Sequence, residues 1–175
     1  MQRVMIVGGP GSGKSTLARQ LGARTGLPVF HMDHIHWMAG WTERPKPEKI
    51  ALAREVEARP AWIFEGGLSA TYDTRAARAD TLIWLDLPVG LRMWRVTKRL
   101  AAHWGQQRPD MAKGCRETLH RGTPEFYHFI WRTRRTSRQR IKRLIMESRH
   151  ELTVVHLRHR REVADFLTTA KGPAT

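Results

Sequence analysis

The chain has one cysteine, few acidic residues and no long apolar run. Because Cys115 is the single cysteine among 175 residues, no disulfide can form within the chain, which suits a reducing cytoplasm. No apolar run approaches the roughly 18 residues of a membrane span. The apolar start of the chain ends in glycines and a lysine rather than in a cleavage site, so we expect no signal peptide. The sequence therefore predicts a cytoplasmic protein without a membrane segment.

Acidic residues are scarce relative to basic ones. The chain carries 16 Asp and Glu against 31 Lys and Arg, a net charge of +15 at pH 7. Residues 90–162 contain nineteen of the basic residues and six acidic ones, so +13 of that charge lies in the C-terminal half. Such a segment faces nucleotide phosphates, an anionic substrate, a nucleic acid or solvent, and composition alone leaves these partners open.

Short apolar runs alternate with helical patterns along the chain. Strands are predicted at 3–7, 27–30, 61–67, 81–88 and 152–157. Helices are predicted at 14–26, 47–58, 89–103 and 160–170, with one basic helix or a pair of helices at 126–148. Segments 31–47 and 105–126 are expected to be mainly loops, because they contain glycine and proline without a clear period. This alternation predicts an α/β fold with a parallel sheet, in one domain covering residues 1–175.

The first predicted strand leads into a complete phosphate-binding motif. Residues 8–15, GGPGSGKS, fit the pattern G-x-x-x-x-G-K-[ST] and stand between a predicted strand and a predicted helix. Glycines let consecutive N–H groups point at phosphate oxygens, Lys14 reaches the β- and γ-phosphates, and the Ser15 hydroxyl can bind Mg²⁺. The expected nucleotide-binding residues here are Gly9, Gly11, Ser12, Gly13, Lys14, Ser15 and Thr16. The motif predicts binding of a nucleoside triphosphate, and we expect Mg²⁺ and ATP.

Further stretches narrow the class of P-loop protein. The chain has no guanine-recognition signature of the N-K-x-D type and is short for a motor ATPase. The stretches VMIVGGPGSGKSTLARQLG, HMDHIHWMAGW, WIFEGGLSATYDTRAARADTLIWLDLP and RPDMAKGC resemble adenylate-kinase-related proteins of the FlaR-like (DNA topology modulation) family. The first 100 residues also resemble nucleoside monophosphate and shikimate kinases. The resemblance implies a three-layer α/β/α P-loop fold with five parallel strands, a substrate-side insert at about 33–58 and a basic helical lid at about 103–135.

The same resemblance suggests roles for two carboxylates. Glu65 follows the third strand, where this kinase group usually has an aspartate, and is expected to serve Mg²⁺ directly, through water, or by polarising the attacking hydroxyl. Asp33 occupies the position where shikimate-type kinases hold a substrate hydroxyl. The alternatives are that Glu65 caps a turn and that Asp33 caps a helix. Asp86, which ends the fourth strand as a Walker B residue would, competes with Glu65 for the metal-side role, and we favour Glu65.

Several neighbours of these carboxylates have open roles. Trp37 and Trp41 are expected either to stack on a planar substrate or to cover the substrate cleft. His34 and His36 are better explained as polar loop surface than as metal ligands. Gly66 and Gly67, which end the stretch IFEGG, allow a substrate to approach the backbone, or form an ordinary turn.

Arginines supply the charge that phosphoryl transfer requires. Arg92, Arg95 and Arg99 share one face of the helix predicted at 89–103, and Arg95 and Arg99 are the expected catalytic members. Arg132, Arg134 and Arg135 are further candidates, which would close over the phosphates from the side opposite this helix. Of these, Arg132 is assigned to the nucleotide. Arg158, beside His159, is expected to stack on the adenine. Taken separately, each arginine is equally explained by a solvated helix face.

Three functions are compatible with these residues. The first is an ATP-dependent kinase of a small-molecule acceptor, with Lys14, Glu65, Asp33, Arg95 and Arg99 as the catalytic group. The second is a nucleic-acid-binding or regulatory P-loop ATPase that affects DNA topology. The basic segment and Trp131 within it favour this function. The third is a weak ATPase whose basic helix docks another protein.

Overall fold

The computed structural model describes residues 1–118, 122–148 and 151–170. Its strands are β1 Arg3–Gly8, β2 Val29–His31, β3 Trp37–Met38, β4 Thr42–Glu43, β5 Trp62–Glu65, β6 Thr81–Leu85 and β7 Thr153–Leu157. Its helices are α1 Lys14–Thr25, α2 Met32–His36, α3 Lys46–Glu57, α4 Tyr72–Arg78, α5 Val89–Ala102, α6 Thr123–Arg132, α7 Arg134–Glu147 and α8 Arg160–Thr169, with short 3₁₀ turns at Ala39–Trp41 and Ser69–Thr71. In these three ranges no helix combines the length and the apolar character needed to cross a membrane.

Five strands form one parallel sheet in the order β2-β5-β1-β6-β7. The central strand β1 pairs with β5 and β6, and its residues 4–7 are fully buried, as expected for a parallel sheet covered on both faces. One core packs α3, α4 and α7 against one face, and a second core packs α1 and α8 against the other. The predicted three-layer α/β/α P-loop fold is therefore confirmed. Its parallel strands direct their carboxyl ends to one edge, where ligands bind in such sheets.

Two segments are more ordered than their sequence suggested. The expected loop at 31–47 contains α2 and an antiparallel hairpin of β3 and β4, in which Trp37 pairs with Glu43. Its turn uses two left-handed residues, Gly40 with φ of 71° and Trp41 with φ of 60°. The basic segment forms two helices that meet at Thr133, and α6 begins at Thr123, inside the expected loop, because Pro124 suits the first turn of a helix.

The polypeptide between α5 and α6 folds back on itself over residues 105–117. Gly105 N donates to Glu117 O at 2.7 Å, Glu117 N donates to Gln106 O at 3.0 Å, and Gln107 bridges Arg116 in antiparallel fashion. We call residues 105–118 the cover segment. It contains the RPDMAKGC stretch and lies against the cavity described next.

Candidate nucleotide and acceptor site

A cavity of about 1240 Å³ opens at the carboxyl edge of the sheet, beneath the cover segment. Most of the residues predicted for the site line it, namely Gly11, Ser12, Gly13, Lys14, Ser15, Thr16, Asp33, Glu65, Arg95 and Arg99. Gly9 lies behind this wall, where a Cβ atom would come within 1.6 Å of Arg92 Nη1. The structure therefore brings the P-loop, both predicted carboxylates and both predicted catalytic arginines to one space.

The P-loop backbone is shaped for an anion. Gly13 stands before α1 with φ of 95°, and no side chain caps the helix, so its first N–H groups are left for a ligand. Gly11, with φ of 75°, packs so closely on α5 that a Cβ atom would lie 2.3 Å from Arg92 O. The Ser12 hydroxyl is buried without a hydrogen-bond partner among the described residues. A buried polar group of this kind in a P-loop fits a phosphate oxygen.

Lys14 is the cation at the centre of the loop. Its ammonium group donates to Gly9 O at 3.3 Å. Burial lowers the pKa of Lys14, while the charges of Glu65 and Asp33 act in the opposite direction. The ammonium therefore lies between the phosphate-binding backbone and the two predicted carboxylates, where it can reach a transferring phosphoryl group.

The environments of Glu65 and Asp33 change the pKa values of the two carboxyl groups in opposite directions. Glu65 ends β5 and is 2% exposed. Its burial raises its pKa, but a 2.8 Å hydrogen bond with His31 Nδ1 and the charge of Lys14 outweigh this, so the pKa of Glu65 is lowered overall. Burial and the charge of Glu65 raise the pKa of Asp33. Glu65 is thus suited to remain ionised and Asp33 to exchange a proton, the usual division between two carboxylates of one site.

The residues near the Ser15 hydroxyl fit Mg²⁺. The Ser15 side chain contributes to lowering the pKa of both the Glu65 and the Asp110 carboxyl groups, so hard oxygen ligands lie beside the P-loop. Within the described ranges no three His, Cys, Asp or Glu side chains form a complete metal site. Mg²⁺ is usually bound by one or two protein oxygens together with phosphates and water, and the Ser15 hydroxyl and the Glu65 carboxylate supply oxygens of that kind. His34 and His36 take no part, since His34 Nε2 lies 3.0 Å from Pro109 O and His36 Nε2 lies 3.6 Å from Glu43.

Arg99 of α5 and Arg108 form ion pairs with acidic residues of the cover segment, and Arg95 of α5 contacts the P-loop directly. Arg95 Nη1 donates to Ser12 O at 3.0 Å. Arg99 Nε lies 3.3 Å from Glu117 Oε1, which also contacts Arg108 Nε at 2.6 Å, and Arg108 Nη1 donates to Asp110 at 2.8 Å. Sequence reasoning did not single out Arg108, Asp110 or Glu117, although Arg108 and Asp110 belong to the quoted RPDMAKGC stretch.

Three other predicted residues do not line the cavity. Asp86 is held by Arg138 Nη2 at 2.9 Å and His156 Nε2 at 3.1 Å. Arg158 contacts His156 Nδ1 at 3.4 Å, and Arg132 lies on an outer face of α6. Arg160, at the start of α8, lines the cavity instead.

The other end of the cavity is lined by Asp33, His36, Trp37, Trp41, Gly66 and Gly67, which we call the acceptor end. The rings of Trp37 and Trp41 meet edge to face with centroids 5.5 Å apart. The hairpin that carries them is joined to the cover segment through hydrogen bonds from Trp41 Nε1 to Arg116 O at 3.0 Å and from Gly40 N to Gly114 O at 3.3 Å. The two tryptophans are therefore fixed in the wall of the cavity.

Below the acceptor end, a buried arginine holds the glycine turn that follows β5. Arg75 Nη1 and Nη2 donate to Gly66 O at 3.1 and 3.2 Å. Gly66 has φ of 116°, and a Cβ atom there would lie 2.5 Å from Met32 Cβ. Arg75 and His31 were not predicted from the sequence. His31 ends β2 directly beside Glu65 in the sheet, a position that becomes evident once the pairing of β2 with β5 is known.

Comparison with known proteins supports the fold. No protein-family model matches the chain, and no curated protein matches its sequence. A shikimate kinase from Acinetobacter baumannii in complex with shikimate superimposes with a TM-score of 0.58 at 16% identity, covering 96% of this chain and 90% of that one. A deoxyadenosine kinase from M. mycoides with bound dATP gives 0.54 at 12% identity, covering 96% and 98%. A gluconokinase from Sinorhizobium meliloti 1021 gives 0.52 at 13% identity, covering 95% and 91%. The chain therefore has the fold of the P-loop kinases.

Proposed function

We propose that this chain is a kinase that transfers the γ-phosphoryl group of Mg²⁺-ATP to a hydroxyl group of a small molecule. The observation that carries the proposal is one cavity lined both by the P-loop, including Lys14, and by the carboxyl groups of Glu65 and Asp33. The similar folds of kinases for shikimate, deoxyadenosine and gluconate support the reaction type and leave the acceptor open. The resemblance to FlaR-like proteins and a cytoplasmic location belong to the same proposal and rest on the sequence.

Each side chain of the cavity has a role in that reaction. The P-loop amides and Lys14 bind the phosphates, and Arg95 and Arg99 of α5 stabilise the charge of the transferring group. Ser15 and Glu65 hold Mg²⁺, which neutralises phosphate charge when it is bound. Asp33 accepts the proton of the acceptor hydroxyl as its oxygen bonds to the γ-phosphorus and ADP leaves. The cover segment lies over this site and excludes water from it.

The first test is ATP consumption with a panel of hydroxylated metabolites, nucleosides and nucleoside monophosphates. We expect acceptor-dependent ADP release that is lost in Lys14→Ala, which lacks the phosphate-binding ammonium, and in Asp33→Asn, which lacks the base. Retained ATP affinity in Asp33→Asn, measured by calorimetry, separates loss of catalysis from loss of folding. Tight ATP binding without any acceptor-dependent turnover across the panel would contradict the proposal.

A second candidate function is a regulatory ATPase that binds single-stranded nucleic acid. The observation that favours it is the surface of α6 and α7, where Trp131 is 51% exposed and Arg134 lies 4.0 Å from the centroid of its ring. Helix α7 also carries six basic residues and one acidic residue. Basic side chains beside an exposed aromatic ring are the combination that binds single strands through phosphate charge and base stacking.

The second candidate is tested by binding of a labelled single-stranded oligonucleotide at several salt concentrations. It predicts an affinity that falls steeply with salt and that weakens in Trp131→Ala but not in Trp94→Ala, an exposed tryptophan of α5. Equal weakening in both variants, or no binding at low salt, would exclude a specific role for this surface.

A further inference from the structure

Within the part of the chain that the structure describes, the acceptor end of the cavity contains a carboxyl group, two indole rings and the imidazole of His36 but no lysine or arginine. The lysines and arginines of the described residues that line the cavity belong to the P-loop, α1, α5, the cover segment or α8, namely Lys14, Arg19, Arg95, Arg99, Arg108 and Arg160. Burial and the charge of Lys49 lower the pKa of His36, so its ring is neutral at pH 7. Among the described residues, the acceptor end therefore presents the carboxyl group of Asp33 and no lysine or arginine, an arrangement that disfavours an anionic group there.

The basic residues just outside this end are already engaged. Arg44 donates to Ile35 O at 2.9 Å and pairs with Glu48, and Lys49 pairs with Glu43. Arg75 donates both of its terminal nitrogens to Gly66 O and does not line the cavity. None of these side chains presents the two parallel donors with which arginine binds a carboxylate or a phosphate.

Arg108 is the cover-segment cation that acts on Asp33, and it is neutralised by two acids. It contacts Glu117 at 2.6 Å and Asp110 at 2.8 Å, and all three side chains are buried. Turning Arg108 toward an anionic acceptor would leave buried carboxylates without their partner, which is strongly unfavourable. Arg99 is likewise paired with Glu117, so the cations of this region serve the network and the nucleotide.

The two tryptophans give the acceptor end an apolar aromatic wall that is built at some conformational cost. Trp41 is the one non-glycine residue with a positive φ in the described ranges, and its indole N–H is used by Arg116 O. A bulky residue in the left-handed region is strained, and such strain is characteristic of positions fixed for a ligand. With Trp37 edge-on beside it, Trp41 offers a surface for a sugar or nucleobase face.

We infer that the acceptor is a hydroxyl compound without an anionic group, whose flat or apolar face lies against Trp37 and Trp41, as in a nucleoside or a neutral sugar. This inference rests on the proposed kinase function and specifies its substrate class. Asp33 accepts a hydrogen bond from the reacting hydroxyl, and the product is a phosphate monoester.

Matched pairs of acceptors test this inference on the full chain with Mg²⁺-ATP. Each nucleoside is compared with its own 5′-monophosphate, and each aldose with its aldonic acid, so that the two members differ in the anionic group. We expect kcat/KM to favour the uncharged member of a productive pair by at least about tenfold, because an anion at the acceptor end would lie beside Asp33 without a free lysine or arginine among the described residues to pair with it. Turnover of a nucleoside pair would indicate that a nucleobase lies against the tryptophans, whereas turnover of an aldose pair would indicate a sugar ring.

A variant pair tests the aromatic wall. Trp37→Leu removes the ring while keeping an apolar side chain, and we expect it to raise the KM of the preferred acceptor about fivefold and to leave the KM of ATP unchanged. Trp104→Leu is the control, because Trp104 is 55% exposed and lies outside the cavity. Equal effects of the two variants on the acceptor KM would overturn the role of the wall.

The possible failures are distinguishable. Turnover that is equal for both members of the pairs, or greater for the anionic member, overturns the substrate class while the proposed kinase function stands. ATP binding with no turnover of any member overturns the kinase function and the inference with it.

Discussion

Arg75 is a fully buried cation whose removal should affect both stability and the glycine turn at the acceptor end. Its guanidinium group donates twice to Gly66 O and lies 4.9 Å from the ring centroid of Phe64 and 5.2 Å from that of Tyr72. No ion pair joins it to a carboxylate of the described residues, and burial lowers its pKa. We predict that Arg75→Lys, which keeps the positive charge but loses the two parallel N–H donors of the guanidinium group, destabilises the fold.

The size of the effect follows from these contacts. A hydrogen bond from a charged donor is worth about 1.5–3 kcal/mol, and since the two bonds share one acceptor we count about 2–3 kcal/mol for the pair. Loss of the desolvated contacts with the two rings adds about 1 kcal/mol. The free energy of unfolding should therefore fall by about 3–4 kcal/mol. For a chain of this size, that corresponds to a decrease in Tm of about 6–16 °C.

Thermal unfolding followed by circular dichroism at fixed pH and scan rate measures this change. Arg78→Lys is the matched control, because Arg78 is exposed on the same helix and its side chain donates a single hydrogen bond within the described residues, from Nε to Glu57 O at 3.2 Å. We expect its Tm to change by no more than about 2 °C. An equally small change in Arg75→Lys would refute the assignment of Arg75 as the residue that holds the Gly66 turn.

Four further predictions concern the P-loop and the carboxylates. Lys14→Ala should lower acceptor-dependent ATP turnover at least about 100-fold in a coupled assay, with a Tm close to that of the parent, since it removes phosphate contacts and a buried charge. Gly11→Ala should weaken ATP binding at least about tenfold by calorimetry, because it combines a positive φ with a Cβ atom 2.3 Å from Arg92 O. The raised pKa of Asp33 means that its ionised form costs stability above that pKa and nothing below the unfolded value, so Asp33→Asn should raise the Tm at pH 8 but not at pH 3. Glu65 has the opposite sign: its lowered pKa gives stability that is lost as the pH falls through that value, so Glu65→Gln should lower the Tm more at pH 8 than at pH 3.

The sheet was predictable because its signals are local. The continuous apolar run of β1 and the apolar strands β5 and β6 are typical of strands buried on both faces, and the structure confirms them. The β3–β4 hairpin was not predicted, because two-residue strands show no period. It is held instead by contacts with the cover segment, about 75 residues away in sequence.

The site was predictable to the extent that its residues belong to motifs. The P-loop and its neighbouring carboxylates are fixed by strand ends, so their meeting at one edge follows from a parallel sheet. The pairs Arg99–Glu117 and His31–Glu65 join distant segments and have no local signal. Whether Arg158 or Arg160 faces the nucleotide depends on where α8 begins, and the structure brings Arg160 to the cavity.

The hydrogen bonds between the β3–β4 hairpin and the cover segment join them into one structural unit, which we call the roof and which borders both ends of the cavity. Besides the bonds of Gly40 and Trp41, Cys115 Sγ donates to Met38 O at 3.2 Å. A substrate that fixes this roof at one end also fixes it at the other, so each substrate should increase the affinity for its partner. Thermodynamic linkage requires the two increases to be the same factor, whichever substrate binds first. In this fold, positive cooperativity between the binding of ATP and the binding of the acceptor thus follows from the backbone hydrogen bonds that join the two parts of the roof.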